Sequence, residues 1–275
     1  MNFTPGTEGI FLGLDEKTYR SAPGINISAL KEMRLSPKHY KHGLDDTGDP
    51  SKALVIGSVA HLATLQPEIL KGSYVVRPEK WDSWRSKEAQ AWRDAQKVPV
   101  LTPDEEKQAL SVRDAVRGHA RAWRIVSAGD REVSAFRLHE RTGLLMKGRA
   151  DIVAMDDDGR TVIADLKTCG YGGASEEAFS QAISKFNYHQ QAAWYMDLFG
   201  ADEFVFIAVE KEAPFDVSLD HIDKEDVEIG RRVNEAAMQR VAECLRTGVW
   251  PGYTDNIRTV RLKAWKRQMD GGDLT

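Results

Sequence analysis

The spacing of apolar residues changes along the chain between a helical and a strand period, which predicts a mixed α/β protein. The helical period predicts helices over SALKEMRL from Ser28, at 52–65, from Thr102 to about 116, at 176–198 and, begun by Asp223, at 224–246. Runs of Val, Ile and Ala predict strands at 132–138, 144–155 and 161–166, and two more within 203–219 around Pro214. The first 25 residues look irregular, 45–51 is a polar loop, and 72–100 shows no clear period.

Local signals place several of these boundaries. Ser28 is the predicted N-cap of the first helix. Thr102 is followed by Pro103 and Glu105, which are the residue types preferred at the first and third helical positions. The turn sequence at 156–159, DDDG, predicts that the strands on either side of it form a hairpin. The order of helices, three strands, helix, strands and helix predicts a mixed central sheet flanked by helices in one domain.

Composition restricts the class of protein without naming a function. The chain has 275 residues, of which 41% are hydrophobic and 29% charged, a balance typical of a globular protein. It contains no apolar run long enough for a membrane helix and no signal-peptide pattern at its start, so we expect a cytoplasmic protein without membrane contacts. Two cysteines exclude a disulfide framework and a four-cysteine metal site. A net charge of −4 does not exclude nucleic-acid binding, because such proteins use local basic surfaces.

Charged residues interrupt two of the predicted strands. Asp151 lies in GRADIV, and Asp165 and Lys167 lie in IADLK, two positions apart and therefore on one face of a strand. Buried carboxylates are costly unless a cation compensates them, and Mg²⁺ prefers such oxygen ligands. These three residues predict a metal site with a neighbouring lysine. A plain surface ion pair between Asp165 and Lys167 is the alternative interpretation.

Several short motifs occur in order along the chain. They are Ser28-Ala29-Leu30 with Ser36-Pro37, Gly57-x-x-x-His61, Lys147-Gly148-Arg149-Ala150-Asp151, Asp165-Leu166-Lys167-Thr168, and Gln191-x-x-x-Tyr195. Together they resemble the PD-(D/E)XK (restriction-endonuclease-like) nuclease superfamily, and within it the RecE-type exonucleases (the exonuclease VIII nuclease domain) of phages and prophages. The resemblance spans residues 19–253, and Ala150 replaces the usual proline before the first aspartate.

The resemblance implies roles for individual residues. The implied metal ligands are His61, Asp151, Asp165 and the backbone carbonyl of Leu166, with Mg²⁺ as the expected cofactor and Mn²⁺ as a second possibility. The implied catalytic residues are Asp151, Asp165, Lys167 beside the attacking water, Glu132 on the first core strand, and Gln191 and Tyr195 lining the site. The implied DNA contacts are Ser28, Arg149, Gln191 and Tyr195.

The resemblance also implies an activity and partners. It implies a metal-dependent exonuclease that hydrolyses double-stranded DNA from its ends, 5′ to 3′. The 3′ single-stranded tails would pass to a RecT-like annealing protein, and the enzyme would be a homo-oligomer. The alternatives are a repair or defence nuclease of other polarity and a non-catalytic DNA-binding protein on the same fold. The expected domain spans 1–275, with a helical part at about 1–125 and a catalytic core at about 126–250.

Some residues keep a second interpretation. His61 lies in the apolar sequence VAHLATL and is equally compatible with a core histidine, and Glu132 with a surface strand residue. The basic tail after Trp250 suits phosphate contact or a solvated helix face. The segment from Trp81 to Arg85 suits either a mobile segment near the DNA end or a packed helix.

Overall fold

The computed structural model of the chain describes residues 3–44 and 52–270. Among these residues, six strands form one sheet in the order β1-β4-β5-β6-β7-β8. Its strands are β1 (Gly9–Phe11), β4 (Asp130–Leu138), β5 (Leu145–Met155), β6 (Thr161–Cys169), β7 (Glu203–Glu210) and β8 (Val217–His221). Two short parallel strands, β2 (Val75–Val76) and β3 (Val100–Leu101), pair separately.

The helices lie before, between and after the strands of the large sheet. They are α1 (Glu16–Ser21), α2 (Ile27–Lys31), α3 (Pro37–Gly43), α4 (Lys52–Leu65), α5 (Pro67–Leu70), α6 (Lys87–Asp94), α7 (Pro103–Gly118), α8 (Ala120–Ala128), α9 (Glu176–Phe186), α10 (Tyr188–Phe199), α11 (Lys224–Thr247) and α12 (Ala264–Asp270). None of the described helices is both long and apolar enough to cross a membrane.

The sheet is mixed in strand direction. Strands β4, β5 and β6 are consecutive antiparallel neighbours, and β5 and β6 form the hairpin that the DDDG turn predicted. The chain then crosses through α9 and α10 before β7 pairs parallel to β6, and β8 returns antiparallel. The predicted fold class, a mixed central sheet flanked by helices, is confirmed.

Each face of the sheet carries its own hydrophobic core. One core packs α2, α10 and α11 against the sheet, with Trp194 and Met238 fully buried. The other packs α4, α7 and α8 around Val112, Ile152 and Ile207. Neighbouring residues of one strand alternate between the cores because strand side chains point to opposite faces. Helices from both halves of the chain therefore reach the same central strands.

Several predicted boundaries are confirmed by side-chain caps. Thr102 accepts a hydrogen bond from the backbone of Glu105, whose carboxylate accepts one in return from the Thr102 backbone, which completes a capping box. Asp223 caps α11, and α4 has the predicted limits. The predicted polar loop at 45–51 lies outside the described residues.

Other predicted boundaries are wrong. The helix predicted over 176–198 is two helices, because Asn187 adopts a left-handed conformation with φ of 54°. Asn26 caps α2, since its side chain accepts a hydrogen bond from Ala29, and this places Ser28 in the first turn instead of at the cap. The supposedly irregular N-terminal segment contains β1 and α1, which tertiary pairing with β4 and a cap at Asp15 stabilise.

Candidate active site

Three carboxylates lie side by side on adjacent strands of the sheet. Glu132 lies between Arg131 and Val133, which pair with Ile152 and Ala150, so it faces Asp151 across the β4–β5 ladder. Ile152 of β5 pairs with Ala164 of β6, and Asp151 and Asp165 are the next residues along these two antiparallel strands. The Asp151 carboxylate accepts a hydrogen bond of 2.9 Å from the backbone nitrogen of Leu166.

The helix α4 places His61 over this row. Its Nε2 lies 3.1 Å from Oδ2 of Asp151, and its Nδ1 lies 3.6 Å from Oε1 of Glu132. One turn earlier, Gly57 lets the helix approach β6 closely, since a Cβ added there would lie 3.3 Å from Oγ1 of Thr168. The Gly57-x-x-x-His61 spacing therefore combines a close helix contact with a histidine aimed at the carboxylates.

Asp165 is held from two sides. Its Oδ1 accepts a hydrogen bond of 2.6 Å from Nε2 of Gln191 on α10. Its Oδ2 forms an ion pair with Nζ of Lys167 at 2.5 Å. The angles of this contact do not suit a hydrogen bond, so the buried Oδ2 accepts none from the described residues. The Lys167 ammonium also lies 4.9 Å from the ring centre of Tyr188. The alternative interpretation, a plain surface ion pair, does not hold, because Asp165 is buried and Lys167 is half-buried.

Arg149 completes the pairing on the other side of the row. Its Nε lies 2.8 Å from Oε2 of Glu132, with only 13% and 14% of the two side chains exposed. The Tyr195 hydroxyl donates 3.0 Å to the carbonyl oxygen of Arg149, and Gly148 leaves room for the Tyr195 ring, which would lie 3.1 Å from an added Cβ. Direct DNA contact by Arg149 or Tyr195 stays a prediction.

The charges of the site shift its pKa values. Burial disfavours the charged form of His61, but the negative charges of Asp151 and Glu132 outweigh it and raise the pKa to about 9. Burial raises the pKa of Asp165. For Lys167, burial lowers the pKa but the charge of Asp165 outweighs it, so the net shift is upward. The carboxylates thus create a negative potential that attracts cations.

The carboxylates and the histidine fit a divalent cation. Ligand atoms of His61, Glu132 and Asp151 all lie within 4.8 Å of one another. Oε1 of Glu132 is buried and accepts no hydrogen bond from the described residues. Two carboxylates and one imidazole form a mixed oxygen and nitrogen donor set that suits a divalent cation. Asp165 and the Leu166 carbonyl, which the motif resemblance also implied as ligands, stay predictions.

Three further predicted contact regions lie outside this cluster. Ser28 is exposed in the first turn of α2. Trp84 stacks on Trp92 of α6, with ring centres 6.3 Å apart, so this segment packs on itself. The tail around Trp265 is exposed. The sequence motifs gave no role to Lys31 and Tyr188, which the structure places next to Lys167. Lys31 lies one helical turn after Ser28 on α2.

The chain as a whole matches a known protein family. Residues 26–263 match the family described as a PDDEXK-like domain of unknown function, DUF3799. The chain belongs to this PDDEXK-like family. The superfamily predicted from the Asp151, Asp165 and Lys167 pattern is therefore confirmed, and a PDDEXK-like domain supports a nuclease. None of the curated proteins matches the chain.

One solved structure shares the fold over nearly the whole chain. The crystal structure of a "Putative exonuclease" from Eubacterium rectale superposes with a TM-score of 0.62 at 15% identity, covering 96% of this chain and 100% of that one. SSO0001 gives a TM-score of 0.32 at 16% identity, over 68% and 85% of the two chains. Scheffersomyces stipitis Rai1 gives 0.33 at 12%, over 87% and 75%. The last two scores are too low to support an argument.

Proposed function

We propose that this protein is a divalent-metal-dependent exonuclease that hydrolyses phosphodiester bonds at the ends of double-stranded DNA. The observation that carries the proposal is the row of Glu132, Asp151 and Asp165 across three strands, with His61 above it and Lys167 beside it. A divalent cation held by His61, Glu132 and Asp151 would supply water activation and charge neutralisation at the phosphate.

The protein's own side chains would supply positioning and further positive charge. Lys167 is held beside Asp165 and against the ring of Tyr188, so its ammonium is fixed next to the carboxylate row, and a substrate phosphate bound by the cation would lie close to it. There it would stabilise negative charge that develops on the phosphate oxygens. Gln191 fixes the Asp165 carboxylate through one oxygen. Arg149 neutralises Glu132 and keeps that acid in place.

The finer parts of the proposal rest on the motif resemblance. The RecE-type motifs support degradation from 5′ to 3′, with 3′ single-stranded tails passed to a RecT-like annealing protein for recombination. They also support a homo-oligomer that acts in the cytoplasm. Mg²⁺ is the proposed physiological metal, with Mn²⁺ as the alternative.

A linear duplex digested with Mg²⁺ or with EDTA tests the activity. We expect the wild type to degrade the duplex with Mg²⁺ and to stop in EDTA. Asp165→Asn keeps the size of the side chain but removes its charge, and we expect a rate loss of about a hundredfold or more. Asp104→Asn, at an exposed site on α7, is the matched control and should keep full activity.

The substrate set separates the rival functions. Label at either terminus, on 5′-phosphorylated and 5′-hydroxyl duplexes, reports the polarity. Cleavage of a covalently closed circle would favour an endonuclease over the proposed exonuclease. Undiminished degradation by Asp165→Asn would overturn the site assignment. A wild type that binds but never degrades DNA would favour the non-catalytic DNA-binding alternative.

A further inference from the structure

A second lysine lies at the edge of the candidate active site. Lys31, the last residue of α2, lies 5.7 Å from the ring centre of Tyr188, and Lys167 lies 4.9 Å from the same ring. The two ammonium groups come from α2 and β6, elements far apart in the sequence. The fold therefore places two cations against one aromatic ring.

The two lysines differ in how their charges are compensated. Lys167 is paired with Asp165 at 2.5 Å. Lys31 makes a side-chain hydrogen bond of 3.1 Å to the backbone carbonyl of Phe186, and no described carboxylate lies within ion-pair distance of it. An ammonium has three donors, and the carbonyl at the end of α9 carries only a partial charge. Lys31 therefore keeps positive charge and donor capacity for another group.

The surroundings of Lys31 disfavour its charge unless an anion approaches. Burial and the nearby charge of Lys167 lower its pKa to about 8, against a smaller opposite effect of Asp165. The hydrogen bond from Lys31 to the Phe186 carbonyl at the end of α9 does not by itself explain why Lys31 lies against the same ring as a second cation. A backbone phosphate at Lys31 would offset the repulsion between the two ammonium groups and accept hydrogen bonds from the Lys31 ammonium.

We propose that Lys31 binds a backbone phosphate of the DNA strand that enters the site, next to the phosphate held at Lys167. This inference rests on the proposed function for the identity of its ligand. Lys31 would thus be a substrate-binding residue, and α2 would contact DNA through it, one helical turn beyond Ser28.

Equilibrium binding of a short, labelled, 5′-phosphorylated duplex tests the inference without hydrolysis. The parent is Asp165→Asn, and Lys31→Gln, Lys31→Arg and Lys107→Gln are added to it. We expect Lys31→Gln to weaken binding about tenfold or more. The slope of log Kd against log salt should fall by about one, the value of one lost phosphate contact. Lys31→Arg should restore both, and Lys107→Gln, at an exposed site on α7, should change the slope by much less.

A capping role would give a different result. Lys31→Gln would then lower the melting temperature while the affinity and the salt slope stay at the parent values, and this outcome would overturn the inference. A parent that binds no DNA would also overturn it. If the wild type hydrolyses no DNA but Lys31→Gln weakens binding, the proposed nuclease fails and the phosphate site stands. If the wild type hydrolyses DNA and Lys31→Gln binds normally, the phosphate site fails and the nuclease stands.

Discussion

Glu132 has an unusual backbone for a strand residue. Its φ is 55°, in the left-handed region, although Arg131 and Val133 on either side pair regularly with β5. Such a conformation costs a residue with a side chain about 1–2 kcal/mol and costs glycine little. Strain of this kind is often retained at functional sites. We therefore predict that Glu132→Gly is more stable than Glu132→Ala.

The expected magnitude follows from two opposing terms. In an ordinary strand, glycine is less stable than alanine by about 0.5–1 kcal/mol. At position 132 the left-handed term of about 1–2 kcal/mol acts in the other direction, which leaves Glu132→Gly more stable by up to about 1.5 kcal/mol, with a central value of about 0.75 kcal/mol. Both variants lose the same carboxylate and its contact with Arg149, so this loss cancels in the comparison.

The neighbouring exposed residue Arg131 is the matched control. Arg131→Ala should be more stable than Arg131→Gly by about 0.5–1 kcal/mol, so the sign of the difference reverses within one strand. The four urea midpoints, compared at equal m values, measure this. If Glu132→Ala is as stable as Glu132→Gly while the Arg131 pair behaves as expected, the backbone at 132 is not strained and the reasoning fails.

Two further predictions concern helix packing and the metal. Gly230→Ala would place a Cβ against the His189 carbonyl group, 2.8 Å from its carbon, and we expect Tm to fall by roughly 4–8 °C. The control Gly118→Ala, whose added Cβ has nothing within 4 Å, should not lower Tm. Equal melting temperatures of the two variants would contradict the packing argument. Millimolar Mn²⁺ should raise the Tm of the wild type, and EDTA should reverse the shift. The Tm of Asp151→Asn should respond much less to Mn²⁺. An identical shift in both proteins would argue against the metal assignment.

Sequence alone could predict the carboxylate row because its parts are local. Consecutive antiparallel strands become neighbours in the sheet, so a hairpin signal between Asp151 and Asp165 was enough to bring them together. Glu132 is placed beside them through the motif resemblance, because no turn signal fixes the register of its strand. Alternation along β6 also places Lys167 on the face of Asp165. His61 could be placed only through the motif resemblance, since its helix precedes these strands by a long stretch of chain.

The remaining features depend on tertiary packing, which a periodicity argument cannot detect. Asn187 interrupts an otherwise continuous helical pattern, because the chain turns there and Tyr188 then packs against Lys167 of β6 and Phe206 of β7. Lys31 reaches the site only because α2 packs on α10 and α11. The left-handed backbone of Glu132 has no sequence signal either, since asparagine, aspartate and glycine are the residues that usually mark such conformations.

Each carboxylate of the site lies beside a basic side chain, which comes from the neighbouring strand, from α4 or from its own strand. The pairs are Glu132 with Arg149, Asp151 with His61, and Asp165 with Lys167. These side chains are between 9% and 28% exposed, and removing one member of such a partly buried pair leaves a poorly compensated charge, which destabilises a protein by less than the roughly 3–5 kcal/mol found for fully buried pairs. An alanine substitution here would therefore lower activity through partial unfolding as well as through lost chemistry. Amide replacements that keep shape and hydrogen bonds, measured below the melting temperature of each variant, separate the two effects.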